Sequence, residues 1–233
     1  MRLDIPPVRL TAQLRRGGQS RRAYQLTPAA HLHFPHASTR YGWPVFSVCV
    51  YCGSKPGNDP AFTAAARALG TEIGRRGWRL VYGGASVGLM GEVADAALAS
   101  GADVVGVIPY CLFEAEVAHN GLHDLRTVSS MHERKKVMAD EADVFVALPG
   151  GFGTFEELFE MITWRQLRIH DKPIGVLDVG GYYTRLLDFL DGAVDAGLVW
   201  PEHRALLTSD DDPAALLDVL STTPSSPKRP AGR

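Results

Sequence analysis

The stretch that most restricts this chain is Leu148-Pro149-Gly150-Gly151-Phe152-Gly153-Thr154-Phe155-Glu156-Glu157. Ahead of it, Ala142 to Leu148 form a short apolar run, centred on Val144-Phe145-Val146, that reads as a buried parallel strand. Behind it, Leu158, Met161, Ile162 and Leu167 recur at helical spacing among strong helix formers. The glycines therefore occupy a strand-to-helix turn, and Thr154 stands where a helix begins. Unsatisfied N–H groups and the positive end of the helix dipole face whatever fills such a turn. An anion such as a phosphate suits it, with Gly151, Gly153 and Thr154 as the contacts. A plain tight turn is the simpler alternative, but two adjacent glycines and a third exceed what one requires. Glu157, one turn into the helix, would repel an anion unless it serves another part of the ligand.

The segments before this turn alternate in the same manner. Val45 to Cys52 reads as a first strand, closed by Gly53-Ser54-Lys55-Pro56-Gly57. Asp59 caps a helix with Pro60 at its first position, running to Arg76. Trp78 to Tyr82 is a second strand, followed by Gly83-Gly84. A helix from Leu89 to Ser100 stops at Gly101, and Asp103 to Ile108 is a third strand. Residues Pro109 to Ser129 read as a long polar loop, and the next helix carries Met131-His132-Glu133-Arg134-Lys135-Lys136. The strand before the glycine turn is the fourth. Lys172 to Leu177 makes a fifth strand, Tyr182 to Ala196 a helix, and Pro213 starts a last short helix.

Alternation of this kind predicts an α/β fold, a Rossmann-like doubly wound parallel sheet in three α/β/α layers. With strand order 3-2-1-4-5, the topological switch lies between the first and fourth strands. The Gly53–Gly57 loop and the Pro149–Thr154 turn then face each other across a nucleotide-sized crevice. The domain is expected over residues 44–220. Before it, residues 1–43 carry seven arginines against the single acid Asp4, which predicts a basic, disordered extension or an over-long start. After it, residues 221–233 read as a Ser/Pro-rich disordered tail.

Composition removes several functions. The net charge of −2 gives no general polyanion surface, so nucleic acid is not an expected partner. No apolar run approaches the roughly 20 residues of a membrane span. Cys49 and Cys52 form a C-x-x-C inside a strand and without a second pair, so reduced core thiols in a cytoplasmic protein are expected rather than zinc. His31, His33 and His36 lie in the extension, and no metal is expected there. The chain lacks G-x-G-x-x-G after its first strand, and has neither G-x-x-x-x-G-K-[ST] nor G-x-S-x-G. A nicotinamide dehydrogenase, a P-loop ATPase and an elbow hydrolase are set aside accordingly.

Pro149 to Glu157 resembles the P-G-G-x-G-T-x-x-E signature of the Lonely Guy family, cytokinin riboside 5′-monophosphate phosphoribohydrolases once labelled lysine decarboxylases. Ser130-Met131-His132-Glu133-Arg134-Lys135 resembles the family's S-M-H-x-R-K. Val81 to Gly91 is similar to its further glycine stretch, with Ala85 where a third glycine is common, and Thr163 to Pro173 is similar to its continuation. The resemblance covers Val45 to Leu220. It implies hydrolysis of a nucleoside 5′-monophosphate to free base and ribose 5-phosphate, without cofactor or metal, by a homodimer. By position it implies substrate contacts at Glu116, Met131, Arg134, Lys135, the run Gly150, Gly151, Phe152, Gly153, Thr154, Phe155, Glu156 and Glu157, and Thr163.

Cleaving an N-glycosidic bond creates oxocarbenium character on the ribose and charge on the base. A carboxylate can stabilise that cation or activate water, and Glu157 is the candidate. Arg134 is the second catalytic candidate, either clamping phosphate or ribose hydroxyls or assisting the leaving base. Lys136 is expected on a solvated face. On a 100° wheel Glu156 and Thr163 share one face, and Glu157 shares another with Met161 and Trp164. Thr163 is therefore a candidate for a neighbouring subunit's site. The alternative function is a non-catalytic nucleotide or molybdenum-cofactor carrier of the same fold. A decarboxylase would need a Schiff-base lysine, and no lysine is marked out for that role.

Overall fold

A computed structural model describes residues 39–40, 43–112 and 118–223. Its centre is a seven-stranded sheet: β1 Ser47–Tyr51, β2 Arg79–Tyr82, β3 Asp103–Pro109, β4 Asp124–Val128, β5 Val144–Ala147, β6 Ile174–Leu177 and β7 Leu207–Asp210. The spatial order is β4-β3-β2-β1-β5-β6-β7, and every pairing is parallel. The expected five-strand order lies intact inside it, with β1 and β5 adjacent at the switch point. A short antiparallel pair, Thr39–Arg40 with Trp43–Pro44, precedes the sheet.

The helices are α1 Pro60–Arg75, α2 Gly88–Ala99, α3 Met131–Glu141, α4 Phe152–Gln166, α5 Thr184–Asp195, α6 Pro201–Arg204 and α7 Pro213–Thr222. They cover both faces. On one face, Leu69, Ile73, Leu89, Val93 and Leu216 pack against Val48, Leu80 and Val146. On the other, Met138, Leu158 and Met161 pack against Cys49, Val81 and Phe145. Successive strand residues point to opposite faces, so Cys49 and Cys52, three apart, fall into different layers. Both thiols are buried and free, and burial pushes them well up from the usual thiol range.

Two expectations are corrected. The long loop after β3 contains strand β4, and β7 precedes the last helix. Both are sheet edges with one neighbour each, so half-buried polar residues such as Arg126 and Thr208 suffice and no apolar run announces them. The helix expected from Tyr182 starts at Thr184, after a 3₁₀ turn over Val179–Gly181. Among the described residues no helix is long and apolar enough to cross a membrane.

Candidate active site

Strands β1 and β5 end side by side, and their following turns are bonded together. The Gly53 N–H donates to Pro149 O at 3.1 Å, and Leu89 N–H at the start of α2 donates to Gly53 O at 3.0 Å. Gly150 is required by close approach: a Cβ there would lie 2.1 Å from Thr154 Oγ1 and 3.0 Å from Gly53 N. Gly151 is different, because a Cβ would meet nothing within 4 Å and the residue is exposed. Its packing in the free protein leaves room for a Cβ, so a Gly151→Val substitution would obstruct a ligand in the turn and not the fold.

Gly151 is the N-cap of α4, with no side-chain cap. The first intrahelical donor is the Phe155 N–H, to Gly151 O at 3.0 Å. The N–H groups of Phe152, Gly153 and Thr154 therefore carry the helix's positive end. Thr154 is buried, Phe152 is 92% exposed, and Phe155 packs edge-on against Tyr183. The loop after β6 braces the turn: the Tyr182 hydroxyl donates to Gly150 O, and the Tyr183 hydroxyl to Leu148 O at 2.7 Å. A cavity of about 340 Å³ opens between the two turns, lined by Gly53, Lys55, Phe62, Leu89, Gly150 and Tyr182 among others.

Helix α3 supplies the basic side. Ser130 caps it, accepting from the Glu133 N–H at 3.1 Å, while the Glu133 carboxylate accepts from the Ser129 N–H at 2.8 Å. That start points Arg134 inward, 5% exposed, over the ends of β2 and β3. Its Nε donates to Val107 O at 3.0 Å and its Nη2 to Gly83 O at 2.8 Å. A Cβ at Gly83 would stand 2.2 Å from that Nη2, so a side chain there would displace the guanidinium. Met131, on the same first turn, touches Arg134 Nη1 through its sulfur at 3.9 Å.

Glu157 is half-buried one turn into α4. Its negative charge raises the thiols of Cys49 and Cys52, whereas the Arg134 charge lowers both. Carboxylate and guanidinium thus act on the same two thiols with opposite signs. Lys135 points elsewhere, to Glu156 and to Glu160, whose Oε2 is 3.1 Å away. The Thr163 hydroxyl is exposed and donates to Phe159 O at 2.7 Å, outside the cavity of its own chain. Lys136 pairs with Asp140 in solvent at 2.7 Å. Glu116 lies outside the described residues. Tyr182, Phe62 and Leu89 belong to the site without having been singled out from the sequence. No group of three or more metal-ligating side chains is assembled among the described residues.

A family model described as "possible lysine decarboxylase" matches residues 90–220. A cytokinin riboside 5′-monophosphate phosphoribohydrolase of Arabidopsis thaliana is 49% identical over 173 residues, spanning 74% of this chain and 81% of the relative. A probable enzyme of the same name from Oryza sativa subsp. japonica is 51% identical over 173 residues, spanning 74% of this chain and 70% of that relative. The chain belongs to the Lonely Guy family. Among solved structures, a molybdenum-cofactor carrier protein from Chlamydomonas reinhardtii superposes with a TM-score of 0.58 at 22% identity, covering 76% of this chain and 96% of the other. That similarity is one of fold. The decarboxylase label finds no support in Lys135 of this Lonely Guy member. A Schiff base needs a neutral amine. Burial opposes the charge of Lys135, yet its carboxylate partners outweigh that and hold it above the usual lysine range.

Proposed function

We propose that this chain hydrolyses the N-glycosidic bond of an adenosine 5′-monophosphate, N6-modified or plain, releasing free base and ribose 5-phosphate. The observation that carries the reading is the uncapped, glycine-built N-terminus of α4, which opens beside the cavity and carries Glu157 one turn in. Relatives of about half-identical sequence bear the name of this activity.

The 5′-phosphate docks at the N–H groups of Gly151, Gly153 and Thr154. Its binding energy positions the distant glycosidic bond, so the phosphate contributes to rate and not only to affinity. As the bond breaks, positive charge grows on the ribose, and the Glu157 carboxylate stabilises it or takes a proton from the attacking water. Arg134 is oriented by two carbonyl oxygens and holds the nucleotide against the sheet. No cofactor enters this scheme.

We further propose a homodimer. Helix α5 is amphipathic, yet none of its residues is fully buried. Phe189 and Trp200 are 70% and 67% exposed, and Leu167 and Ile169 beyond α4 are exposed as well. An apolar surface of that extent fits a second copy, which would bring the exposed Thr163 toward a partner's site. A cytoplasmic location agrees with the free, buried thiols.

Chromatography of the purified protein with AMP and with isopentenyl-AMP tests the activity. Free base and ribose 5-phosphate should form in equal amounts, with no inorganic phosphate. Tight nucleotide binding without base release would instead support the carrier alternative.

A further inference from the structure

Adjacent residues of α3, Arg134 and Lys135, are both 5% exposed but serve different neighbours. Arg134 goes to the carbonyls of β2 and β3, while Lys135 reaches across to α4. There its Nζ donates to Glu156 and forms an ion pair with Glu160 Oε2 at 3.1 Å. Glu156 and Glu160 are one helical turn apart, so both carboxylates present to the same ammonium.

We infer that Lys135, Glu156 and Glu160 form an ionic tether that sets the distance between the two halves of the active site, with Lys135 as a positioning residue and not a phosphate ligand. The inference rests on the phosphoribohydrolase reading above. One half of that site, Arg134, rides on α3. The other half, the glycine turn with Glu157, rides on α4, and the tether joins these helices close to both.

The geometry predicts a particular kinetic pattern. Phosphate binding at the N-terminus of α4 uses backbone groups of that helix and does not need the Lys135 ammonium. Rate requires Arg134 and Glu157 in register about one bond, and small misplacements there are costly. Loosening the tether should therefore lower kcat more than it raises KM. The cluster also has redundancy: loss of Glu156, more than half exposed in its side chain, leaves Glu160 in place.

The test compares Lys135→Met, the double variant Glu156→Gln/Glu160→Gln, and the triple variant combining them. Adenine release from AMP and calorimetric AMP binding are measured for each. The tether predicts that Lys135→Met lowers kcat about tenfold with KM within about twofold, and that the double variant does the same. The triple variant should be no worse than either, and Lys135→Arg, which keeps the ion pairs, should restore most of kcat. A Lys135→Met variant with KM raised tenfold or more and kcat kept, beside a double variant of parental KM, overturns the inference and makes Lys135 a ligand. Parental kcat in both also overturns it. A fold defect alone would lower the melting temperature without that kcat–KM split, and this too contradicts positioning. If the parent releases no adenine, the activity reading fails by itself. The tether is then judged on AMP affinity: affinity within about twofold of the parent in both variants supports it, and a tenfold or greater loss in Lys135→Met alone refutes it.

Discussion

The two ends of the sheet are built by opposite means. At the amino end, side-chain charge meets side-chain charge. Arg79 at the start of β2 bonds Asp103 at the start of β3 at 2.9 Å and lies 3.6 Å from Glu141. Arg126 reaches Asp124 and the same Glu141, each at 2.8 Å. At the carboxyl end the connections are backbone groups. Gly53 bonds Pro149 and Leu89, Arg134 rests on Val107 O and Gly83 O, and the uncapped start of α4 opens beside the cavity. Charges that satisfy one another lock strands together and ask nothing of a ligand. Backbone dipoles converging on a cavity are preorganised for one. Stability is concentrated at one end and chemistry at the other.

Changing one side chain at each end should move a different property of the protein. Glu157→Gln keeps size and hydrogen-bonding capacity but removes charge and basicity. Its kcat should fall by about 10² or more, with AMP binding in calorimetry retained or tightened. Near-parental turnover would reduce Glu157 to an acid at a helix start. Arg134→Ala should lower kcat with a clear loss of AMP affinity as well.

At the other end, Glu141→Gln removes the carboxylate that Arg79 and Arg126 share and leaves each with one aspartate. It should destabilise the fold by about 2 kcal/mol in denaturant titrations, with kcat/KM unchanged, because the proposed site lies at the opposite end of the sheet. A kinetic defect in a folded Glu141→Gln variant would blur the division.

The smallest expected effect is a pH dependence at the same end. His170 lies against Phe145, and burial, aided by the nearby Lys172 charge, lowers its pKa to about 4. The unfolded chain takes up that proton nearer pH 6.5, so between pH 6.5 and 4 the unfolded state binds more protons. Stability should fall as pH falls through that window. A His170→Gln variant should show a shallower fall in melting temperature there.

The division was only half legible in the sequence. The glycine turn after β5 could be read because three signals follow one another directly between Ala142 and Leu167: a buried strand, clustered glycines and a helical period. The bracing by Tyr182 could not, since it depends on where the loop after β6 carries one hydroxyl, a side-chain placement with no local mark. The Gly180-Gly181 pair, both with positive φ, was the signal that the helix starts later than Tyr182. The amino-end ion network hid in strand β4, whose Asp124 and Arg126 look like loop residues until the edge position accounts for them. Arg134 and Lys135 read as one basic pair. Their 100° separation on the helix sends one to the sheet and the other to α4, and only packing shows which.

The account stands on a phosphate held at the start of α4, and one comparison addresses it directly: kcat/KM for AMP against adenosine, in the parent and in Gly151→Val. Because a side chain at Gly151 meets nothing in the free protein, the variant should fold and melt as the parent does. The parent should prefer AMP by about 10² or more, since the anchored phosphate supplies the positioning. Gly151→Val should lose most of that preference through a raised KM for AMP, with the weak adenosine reaction little changed. Equal kcat/KM for AMP and adenosine in the parent would contradict the phosphate cradle.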